Sequence, residues 1–404
     1  MTHIKGLLFF TLCICGTLVS QSTDEQLRAK ARELAQRFII VDTHVDIPYR
    51  LSAKWEDISQ RTEGGEFDYV RAREGGLNAP FMSIYVPSDR EREGKFYGAK
   101  SLADSLIDMV EGFVKKWPDK FAIAYSASDV TVHFKQGTIS LPMGMENGSP
   151  IEGSLDNLRH FYRRGIRYIT LTHGKDNHIC DSSYDTTHTW NGLSPFGKQV
   201  VAEMNRLGIM VDISHVSDDA AKQTLAITKA PVIASHSSCR AFTPGWERNI
   251  SDDLIKQVAN NGGVVMVAFG RSFLSGEFRQ KEAKVWEYLT ANKLTFDDPK
   301  AQEWIKNYWQ ANPPPAITVV DVVNHIDHIV KLAGVDYVGF GSDFDGVGGS
   351  LPSDLRDVSQ YPNIIYELLK RGYSDRDIEK ICGGNLLRVW SRVEQVAKEL
   401  QSKK

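Results

Sequence analysis

The stretch Phe38-Ile39-Ile40-Val41-Asp42-Thr43-His44-Val45-Asp46 decides the fold prediction, because an apolar run ends in a histidine and a carboxylate two residues apart. Side chains at positions i and i+2 of a strand point to the same face, so His44 and Asp46 can bind one metal ion. The pair is weak evidence alone, since polar residues also gather where a buried strand reaches the surface. Three further apolar runs lead to a residue of ligand type: Glu146, His215 and His236. Five nitrogen and oxygen ligands on four strand ends predict a two-metal site.

Short apolar runs alternate with amphipathic stretches from residue 38 onward, as in repeated βα units around a parallel sheet. The predicted strands are Phe38–Thr43, Phe81–Val86, Ile139–Met145, Tyr168–Thr172, Met210–Ser214, Val232–Ser235, Val264–Phe269 and Tyr337–Gly341. Eight strands with intervening helices predict a (β/α)8 barrel, whose active site forms at the carboxyl ends of the strands. The alternative is a doubly wound open sheet. That sheet would spread ligands from the first, third, fifth and sixth strands along a line, whereas closure brings them together.

Two long segments interrupt this alternation: a polar loop at 174–193 and a charged, Trp- and Tyr-rich insertion at 271–316. Long loops at a barrel rim commonly shape or cover the site. The loop contains His178, Cys180 and His188, for which a solvated loop is favoured over a third metal site. We expect one barrel domain over residues 23–404, with the insertion at its rim.

Residues 1–22 predict a signal peptide, because His3 and Lys5 precede an apolar run that ends before Ser20-Gln21-Ser22. Cys13 and Cys15 raise the alternative of a lipid anchor, but Ile14 is a poor fit to the small residue that such a site needs. We therefore expect export, with a periplasmic or secreted mature protein.

The composition of the 404-residue chain is that of an ordinary soluble protein, and its net charge of -3 gives no sign of a nucleic-acid partner. Beyond residue 22 the cysteines are Cys180, Cys239 and Cys382, so at most one disulfide can form within the chain. Whether one forms stays open. The C-terminus has no apolar tail, so no membrane anchor is expected.

Glu146 is the best candidate for a carboxylate that bridges two metal ions, because its two oxygens can offset the repulsion between cations about 3.5 Å apart. It follows Met143-Gly144-Met145, where glycine lets the backbone turn at a strand end. Neutral imidazoles combined with carboxylates suit zinc or a similar divalent ion. His325 and His328, one helical turn apart, are instead expected on a solvated or half-buried helix face.

Eight segments carry a family resemblance over nearly the whole chain. They are Asp42-Thr43-His44-Val45-Asp46, Arg73-Glu74-Gly75-Gly76-Leu77, Ser83-Ile84-Tyr85-Val86-Pro87, Tyr168-Ile169-Thr170-Leu171-Thr172-His173, Gly192-Leu193-Ser194-Pro195-Phe196-Gly197, Asp212-Ile213-Ser214-His215-Val216-Ser217, Ser235-His236-Ser237-Ser238 and Gly339-Phe340-Gly341-Ser342-Asp343-Phe344-Asp345-Gly346. Together they resemble the membrane (renal-type) dipeptidases, a zinc-dependent family, and a bacterial exported member is expected.

The resemblance implies a role for each matching residue. The first zinc ion would be held by His44 and Asp46, the second by His215 and His236, with Glu146 as the bridge. Substrate roles fall on His173, Asp343 and an arginine that matches Arg248. The segment 240–247 is one residue longer than in animal members, so Arg240 is the alternative to Arg248.

The implied reaction is hydrolysis of a dipeptide with a free C-terminal carboxylate, in which a hydroxide held between two zinc ions attacks the peptide carbonyl. His173 would stabilise the tetrahedral oxyanion, and Asp343 would pass a proton to the departing amine. Arg248 would pair with the substrate carboxylate. Glu146, His173 and Asp343 are therefore the expected catalytic residues.

Two other functions compete with this interpretation. Other binuclear amidohydrolases share the barrel, but many bridge their metals with a carbamylated lysine on the fourth strand, and Tyr168–Thr172 contains no lysine. A periplasmic peptide-binding protein without activity would have no use for a full ligand set. The side-chain and stereochemical preferences for the substrate, and whether the chain forms a homodimer, stay open.

Overall fold

The computed structural model describes residues 9–296 and 298–403, with side chains from residue 23 onward. The described strands are β1 Ile40–Val45, β2 Leu77–Tyr85, β3 Glu91–Arg92, β4 Lys95–Phe96, β5 Phe121–Ile123, β6 Ile139–Leu141, β7 Met143–Glu146, β8 Ile166–Thr170, β9 Met210–Asp212, β10 Ile233–Ala234, β11 Val264–Val267 and β12 Val338–Phe340. The described α-helices are α1 Phe9–Arg37, α2 Ile47–Ala53, α3 Tyr69–Gly75, α4 Ala99–Lys116, α5 Ala127–Gln136, α6 Leu155–Arg163, α7 Pro195–Leu207, α8 Asp218–Ile227, α9 Asp252–Asn260, α10 Arg271–Leu274, α11 Gly276–Asn292, α12 Pro299–Ala311, α13 Val319–Ala333, α14 Tyr361–Lys370, α15 Asp375–Glu379 and α16 Asn385–Gln401.

Strands β1, β2 and β7 to β12 form a closed barrel of parallel strands. They follow one another around the ring in chain order, and β12 closes it by pairing with β1, where Phe340 lies opposite Asp42. The predicted (β/α)8 barrel is therefore confirmed, and the doubly wound alternative is wrong. Each of the eight predicted strands overlaps one barrel strand.

The predicted strand Ile139–Met145 is divided at Pro142. Its first part, β6, pairs with β5 in a separate two-stranded sheet, and only its second part, β7, joins the barrel. Proline has no backbone N–H to donate to a ladder, so it favours a change of partner at this point. The break leaves Glu146 as the last residue of β7, at the rim.

Several barrel helices begin at serine residues that cap them. The side chains of Ser194, Ser217 and Ser251 accept hydrogen bonds from the backbone N–H groups at the starts of α7, α8 and α9. Such caps satisfy N–H groups that have no partner within the helix. Since each serine follows a loop beyond a barrel strand, the caps fix where these rim loops end.

The apolar layer inside the barrel extends to the last long helix. Phe81 of β2 contacts Tyr168 of β8, with ring centroids 5.4 Å apart, and Trp390 of α16 at 5.3 Å. All three side chains are fully buried. Tight packing of this kind restricts side-chain movement, so it fixes the height of Tyr168 within the barrel.

The rim insertion consists of α10, α11 and α12 and has a small core of its own, formed by Val285, Leu289 and Ala301. Tyr288 of α11 stacks on Trp304 of α12 with ring centroids 3.9 Å apart and an angle of 3° between the planes. These contacts hold the two long helices of the insertion together.

The predicted signal peptide falls mostly on parts that are not described, namely residues 1–8 and the side chains of residues 9–22. From residue 23 onward α1 packs on the domain, with Ala31, Leu34 and Ala35 buried. Within the described part of the chain, no helix combines the length and apolar character needed to cross a membrane. Cys180, Cys239 and Cys382 are buried and free.

The expectation for His325 is wrong, because its side chain is fully buried in α13. Nδ1 accepts a hydrogen bond from the backbone N–H of Cys239 at 2.9 Å, and Nε2 lies 3.2 Å from the carbonyl oxygen of Leu274. The ring packs on Phe242 with centroids 4.2 Å apart. Burial lowers the pKa of His325 from 6.5 to about 4.

We expect this histidine to make the protein less stable in mild acid. Because its pKa is lower in the folded state, the unfolded chain binds more protons between about pH 6.5 and pH 4, and the free energy of unfolding falls as the pH falls through that window. The pKa shift of His325 should lower the free energy of unfolding by about 3 kcal/mol across this window. Urea unfolding at pH 7 and pH 4 measures it, and His325→Asn, which does not titrate, should show a shallower pH dependence. Equal pH dependence in both proteins would contradict the prediction.

Candidate active site

The five predicted ligands meet at the carboxyl ends of the barrel strands. His44 lies in β1, Asp46 follows it, and Glu146 ends β7. His215 lies three residues beyond the end of β9, and His236 lies two residues beyond the end of β10. All five residues are buried, and none has more than 6% of its surface exposed.

The two carboxylate oxygens of Glu146 face different ligands. Oε2 lies 3.4 Å from Nε2 of His44, and that nitrogen lies 3.4 Å from Oδ2 of Asp46. Oε1 lies 3.1 Å from Nε2 of His215 and 3.3 Å from Nε2 of His236. The two oxygens of one carboxylate therefore contact different ligand histidines, as those of a bridging ligand would, and His236 also stacks on His44 with ring centroids 3.8 Å apart.

Among the described residues, three overlapping groups of side chains could each hold a metal ion, because the ligand atoms within each group lie within 4.8 Å of one another. The groups are His44, Glu146 and His236; Glu146, His173 and His215; and His44, Asp46 and Asp343. His178, Cys180 and His188 belong to none of them.

Buried nitrogen and oxygen atoms that lack hydrogen-bond partners also indicate a metal site. Nε2 of His44 and Oδ1 of Asp46 are buried and have no hydrogen-bond partner among the described residues. Burial of such atoms without partners is costly, and a cation would satisfy them. The side chains present therefore fit a metal ion.

The charges of the site favour the ligand forms of Glu146, His215 and His236. Burial opposes ionisation of Glu146, but the histidines around it, His44 and His173 foremost, hold its pKa well below the usual range. Burial, together with neighbouring cationic groups that include Arg248, holds the pKa values of His215 and His236 well below 6.5. An ionised carboxylate and neutral imidazoles are the forms that bind metals. His44 differs: burial opposes its ionisation, but Tyr168, Glu146 and Asp46 raise its pKa well above 6.5, so a metal ion would have to displace its proton.

Tyr168 orients the first histidine. Its hydroxyl oxygen lies 2.8 Å from Nδ1 of His44, so Nε2 is left to face Glu146 and Asp46. The ring has room because residue 144 is glycine, where a Cβ would lie 2.0 Å from Cζ of Tyr168. A partner on the far nitrogen fixes the tautomer and ring orientation of a ligand histidine.

A chain of hydrogen bonds orients His236 in a similar way. Its Nδ1 lies 2.7 Å from Oγ of Ser235, and that hydroxyl donates to Oδ2 of Asp212 at 2.6 Å. Thr170 donates to the same oxygen at 2.5 Å. The carboxylate of Asp212 is thus held by side chains from the two neighbouring barrel segments, Thr170 on β8 and Ser235 beyond β10.

His173 and Asp343 lie beside the ligands. Nε2 of His173 is 3.6 Å from Oε1 of Glu146, and its ring meets that of Tyr85 edge to face at 4.9 Å. A Cβ at Gly346 would lie 2.2 Å from Oδ1 of Asp343 and 2.3 Å from Oδ2 of Asp46, so these carboxylates meet over a glycine backbone. Burial, together with nearby Asp46 and Glu146, raises the pKa of Asp343 well above 3.8, and His44 opposes that shift.

The backbone of the site contains strained residues. His215 has a φ of 68°, Asp343 a φ of 64°, and Asn147, directly after Glu146, a φ of 78°. Non-glycine residues adopt this region at a cost of about 1–3 kcal/mol each and cluster at functional sites. The strain sets the directions in which His215 and Asp343 project.

The structure separates the two candidate arginines. The Nη atoms of Arg248 donate to Oγ of Ser237 at 3.0 Å and to the carbonyl oxygen of His236 at 2.8 Å, and Nη2 lies 3.0 Å from Nε2 of His215. Its buried Nε has no partner among the described residues. Arg240 instead makes a bidentate ion pair with Asp218 at 2.7 and 2.6 Å. Only Arg248 adjoins the proposed ligands.

A cavity of about 1560 Å³ opens over these residues. Asp46, Glu146, His173, His215 and Asp343 line its inner end. Residues of the rim insertion, from α10 to α12, line much of the remainder.

Sequence reasoning did not assign roles to Tyr168, Asp212 or Ser235. The available signal was polarity inside predicted strands: Asp212 and the hydroxyl of Tyr168 interrupt otherwise apolar runs. A polar group within a barrel strand needs a partner, and here each finds it at a ligand histidine or next to one.

Comparison with known proteins identifies relatives along almost the whole chain. A family model described as membrane dipeptidase (peptidase family M19) matches residues 28–404. The dipeptidase verJ of Clonostachys rogersoniana is 34% identical over 384 residues, covering 92% of this chain and 89% of its own.

Solved structures have the same fold. The probable dipeptidase PvdM of Pseudomonas aeruginosa superposes with a TM-score of 0.80 at 29% identity, covering 92% of this chain and all of its own. A metallopeptidase of Rhodobacter sphaeroides, solved with a phosphinate mimic of the dipeptide L-Ala-D-Ala, has a TM-score of 0.71 at 24% identity, over 88% of this chain and 99% of its own.

Proposed function

This chain belongs to the membrane dipeptidase family, peptidase family M19, and we propose that it hydrolyses dipeptides with a free C-terminal carboxylate at a centre of two zinc ions. The observation that carries the proposal of two ions is the position of Glu146, whose oxygens face His44 on one side and His215 with His236 on the other. Imidazole and carboxylate ligands support zinc over magnesium or calcium, which prefer oxygen ligands alone.

In this proposal His44 and Asp46 hold the first ion, His215 and His236 hold the second, and Glu146 serves both. Bound there, the ions would polarise the peptide carbonyl and lower the pKa of a water molecule so that it can attack at neutral pH.

The other polar groups bind the substrate and transfer protons. We assign the substrate carboxylate to Arg248, because Arg248 adjoins the proposed ligands and its buried Nε has no hydrogen-bond partner in the described part of the chain. His173, 3.6 Å from Glu146, is placed to donate a hydrogen bond to the oxyanion that develops on the carbonyl oxygen. Asp343, beside Asp46 over Gly346, is placed to pass a proton to the departing amine.

A direct test is hydrolysis by the purified protein of L,L and L,D dipeptides, matched tripeptides and C-terminally amidated dipeptides. We expect the free dipeptides to be cleaved best, a chelator to abolish cleavage, and added zinc to restore it. Cleavage that survives complete metal removal would refute the metal centre. Equal cleavage of free and amidated dipeptides would refute recognition of the carboxylate.

We expect Tyr168→Phe to weaken zinc binding by about tenfold to a hundredfold, since the hydroxyl that holds His44 would be lost. Competition with a chromogenic chelator measures the zinc affinity of the variant. Tyr366→Phe is the matched control, because it removes a tyrosine hydroxyl that contacts Asp24 on another part of the domain. Equal zinc affinity in Tyr168→Phe and the unmutated protein would contradict the proposed orienting role.

We also propose that the protein is exported and loses about its first 22 residues, on the strength of the basic start, apolar run and small residues of that segment. N-terminal sequencing of protein from the native host measures the cleavage point. Cytoplasmic protein that retains Met1 would contradict the proposal.

A further inference from the structure

The active-site cavity is larger than a dipeptide needs. Its volume is about 1560 Å³, whereas pockets for whole drug-sized ligands usually measure about 300–1,000 Å³. The excess space lies under the rim insertion. Its walls include six aromatic side chains, which we call the aromatic wing: Trp246, Phe273, Phe278, Trp286, Phe296 and Trp309.

The aromatic wing begins next to the metal ligands. The guanidinium of Arg248 lies over the ring of Phe273, 4.9 Å from its centroid, and Phe273 contacts Trp246 at 5.2 Å. The guanidinium of Arg279, in α11, lies over the ring of Trp246, 4.6 Å from its centroid. Phe273 and Trp246 line the cavity, whereas Arg248 is only 2% exposed and lies behind Phe273. The aromatic wall of the cavity therefore begins at the residue that packs on the proposed carboxylate-binding arginine and continues to α11.

The outer part of the aromatic wing exposes large apolar side chains to the cavity. Trp286 is 53% exposed and Phe296 45% exposed, and their rings meet edge to face at 4.7 Å. Other apolar residues of the insertion are buried in its own core, so Trp286 and Phe296 are not required to form that core. Exposed aromatic pairs on a cavity wall are typical of ligand contacts.

The charges along this part of the cavity offset one another. Arg271 and Arg279 line it, and so do Glu282 and Glu287. With two groups of each sign, the wall selects a ligand by apolar and aromatic surface more than by charge. The stack of Tyr288 on Trp304 keeps α11 and α12 together, so the surface is formed before a ligand binds.

We propose that the aromatic wing binds an extended aromatic substituent on the C-terminal residue of the dipeptide. This inference rests on the proposed function, because Arg248 places the C-terminal residue at the inner end of the wing. Arg279 and Trp286 are seven residues apart on α11, or about 10 Å along its axis. A single phenyl group would therefore contact the inner rings near Phe273, and a longer substituent is needed to reach Trp286.

Three dipeptides of increasing length test the proposal: Ala-Ala, Ala-Phe and Ala-(4-phenylphenylalanine). We expect kcat/KM to rise by roughly tenfold with each added ring, the effect usual for filling an apolar pocket. Trp286→Ala should remove the second increase and retain the first. Trp55→Ala is the matched control, because Trp55 is also 53% exposed but does not line the cavity, and it should retain both increases.

The outcomes separate this inference from the proposed function. Equal kcat/KM for the three dipeptides would overturn the inference while hydrolysis of Ala-Ala still supported the function. A Trp286→Ala variant that keeps the ratio between the two longer substrates would overturn the role of Trp286. A preference seen only when the aromatic residue comes first, as in Phe-Ala, would overturn its assignment to the C-terminal residue. Failure to cleave any dipeptide would instead refute the proposed function.

Discussion

Glu146→Gln is expected to lose both metal ions together and to lower kcat at least about a thousandfold. The carboxylate supplies one oxygen toward each set of ligands, and its charge offsets the repulsion between the two cations. The amide keeps the volume of the side chain but not its charge. Stabilisation by the metals is worth several kcal/mol in the transition state, and about 4 kcal/mol corresponds to a thousandfold in rate. Elemental analysis of dialysed protein and dipeptide hydrolysis measure the two effects.

Glu152→Gln is the matched control, since it makes the same chemical change six residues later, where the carboxylate accepts a hydrogen bond from the backbone N–H of Lys100. It should keep both metals. His215→Ala should lose the second ion and retain much of the first, because His215 contacts only the Oε1 side of Glu146. One fully occupied ion in Glu146→Gln would show that this carboxylate does not bridge.

The position of the site could be predicted because strand ends carry information that a sequence displays directly. An apolar run marks a buried strand, and the first polar residues after it mark the rim of a barrel. His44, Glu146, His215 and His236 follow this rule. The closed barrel then brings together residues that are nearly 200 positions apart in the chain.

The remaining differences arise from interactions between distant residues. His325 looks like a polar helix residue, yet it is buried because the backbone groups of Cys239 and Leu274 satisfy both of its ring nitrogens. The split at Pro142 depends on β5, a three-residue strand with too short a pattern to predict. Periodicity reports which face of an element is apolar, and it does not report which partner meets a polar group on that face.

The choice between two arginines shows the same limit. Arg240 and Arg248 lie in one short segment, and spacing alone did not decide between them. Arg240 is the closer in sequence to His236, but Asp218 at the start of α8 binds its guanidinium with two hydrogen bonds. Its other donors bind the carbonyl oxygens of Asn249 and Glu247, so four hydrogen bonds hold the guanidinium of Arg240 in place. Arg248 is therefore the candidate for the substrate carboxylate, because it is the arginine of this pair that adjoins the predicted metal ligands.

Arg248→Ala is expected to lower kcat/KM for free dipeptides by about tenfold to a hundredfold and to remove the preference over amidated dipeptides. A free dipeptide carries its carboxylate one residue beyond the scissile bond, where a guanidinium fixed by Ser237 and the carbonyl oxygen of His236 can reach it. In a tripeptide cleaved after its first residue a neutral peptide group takes that place. A hydrogen bond to a charged group in a partly dry site is worth about 1.5–3 kcal/mol, which gives the expected factor.

The kinetic comparison requires both metals to remain bound, because Arg248 also contacts His215. Elemental analysis of Arg248→Ala checks this point, and Arg248→Lys, which keeps the charge without the planar fork, should recover part of the preference. Arg240→Ala should leave the preference unchanged, since its guanidinium pairs with Asp218. If Arg240→Ala removes the preference for free dipeptides and Arg248→Ala retains it, the carboxylate is bound by the other arginine, and the structure near Asp218 must rearrange when substrate binds.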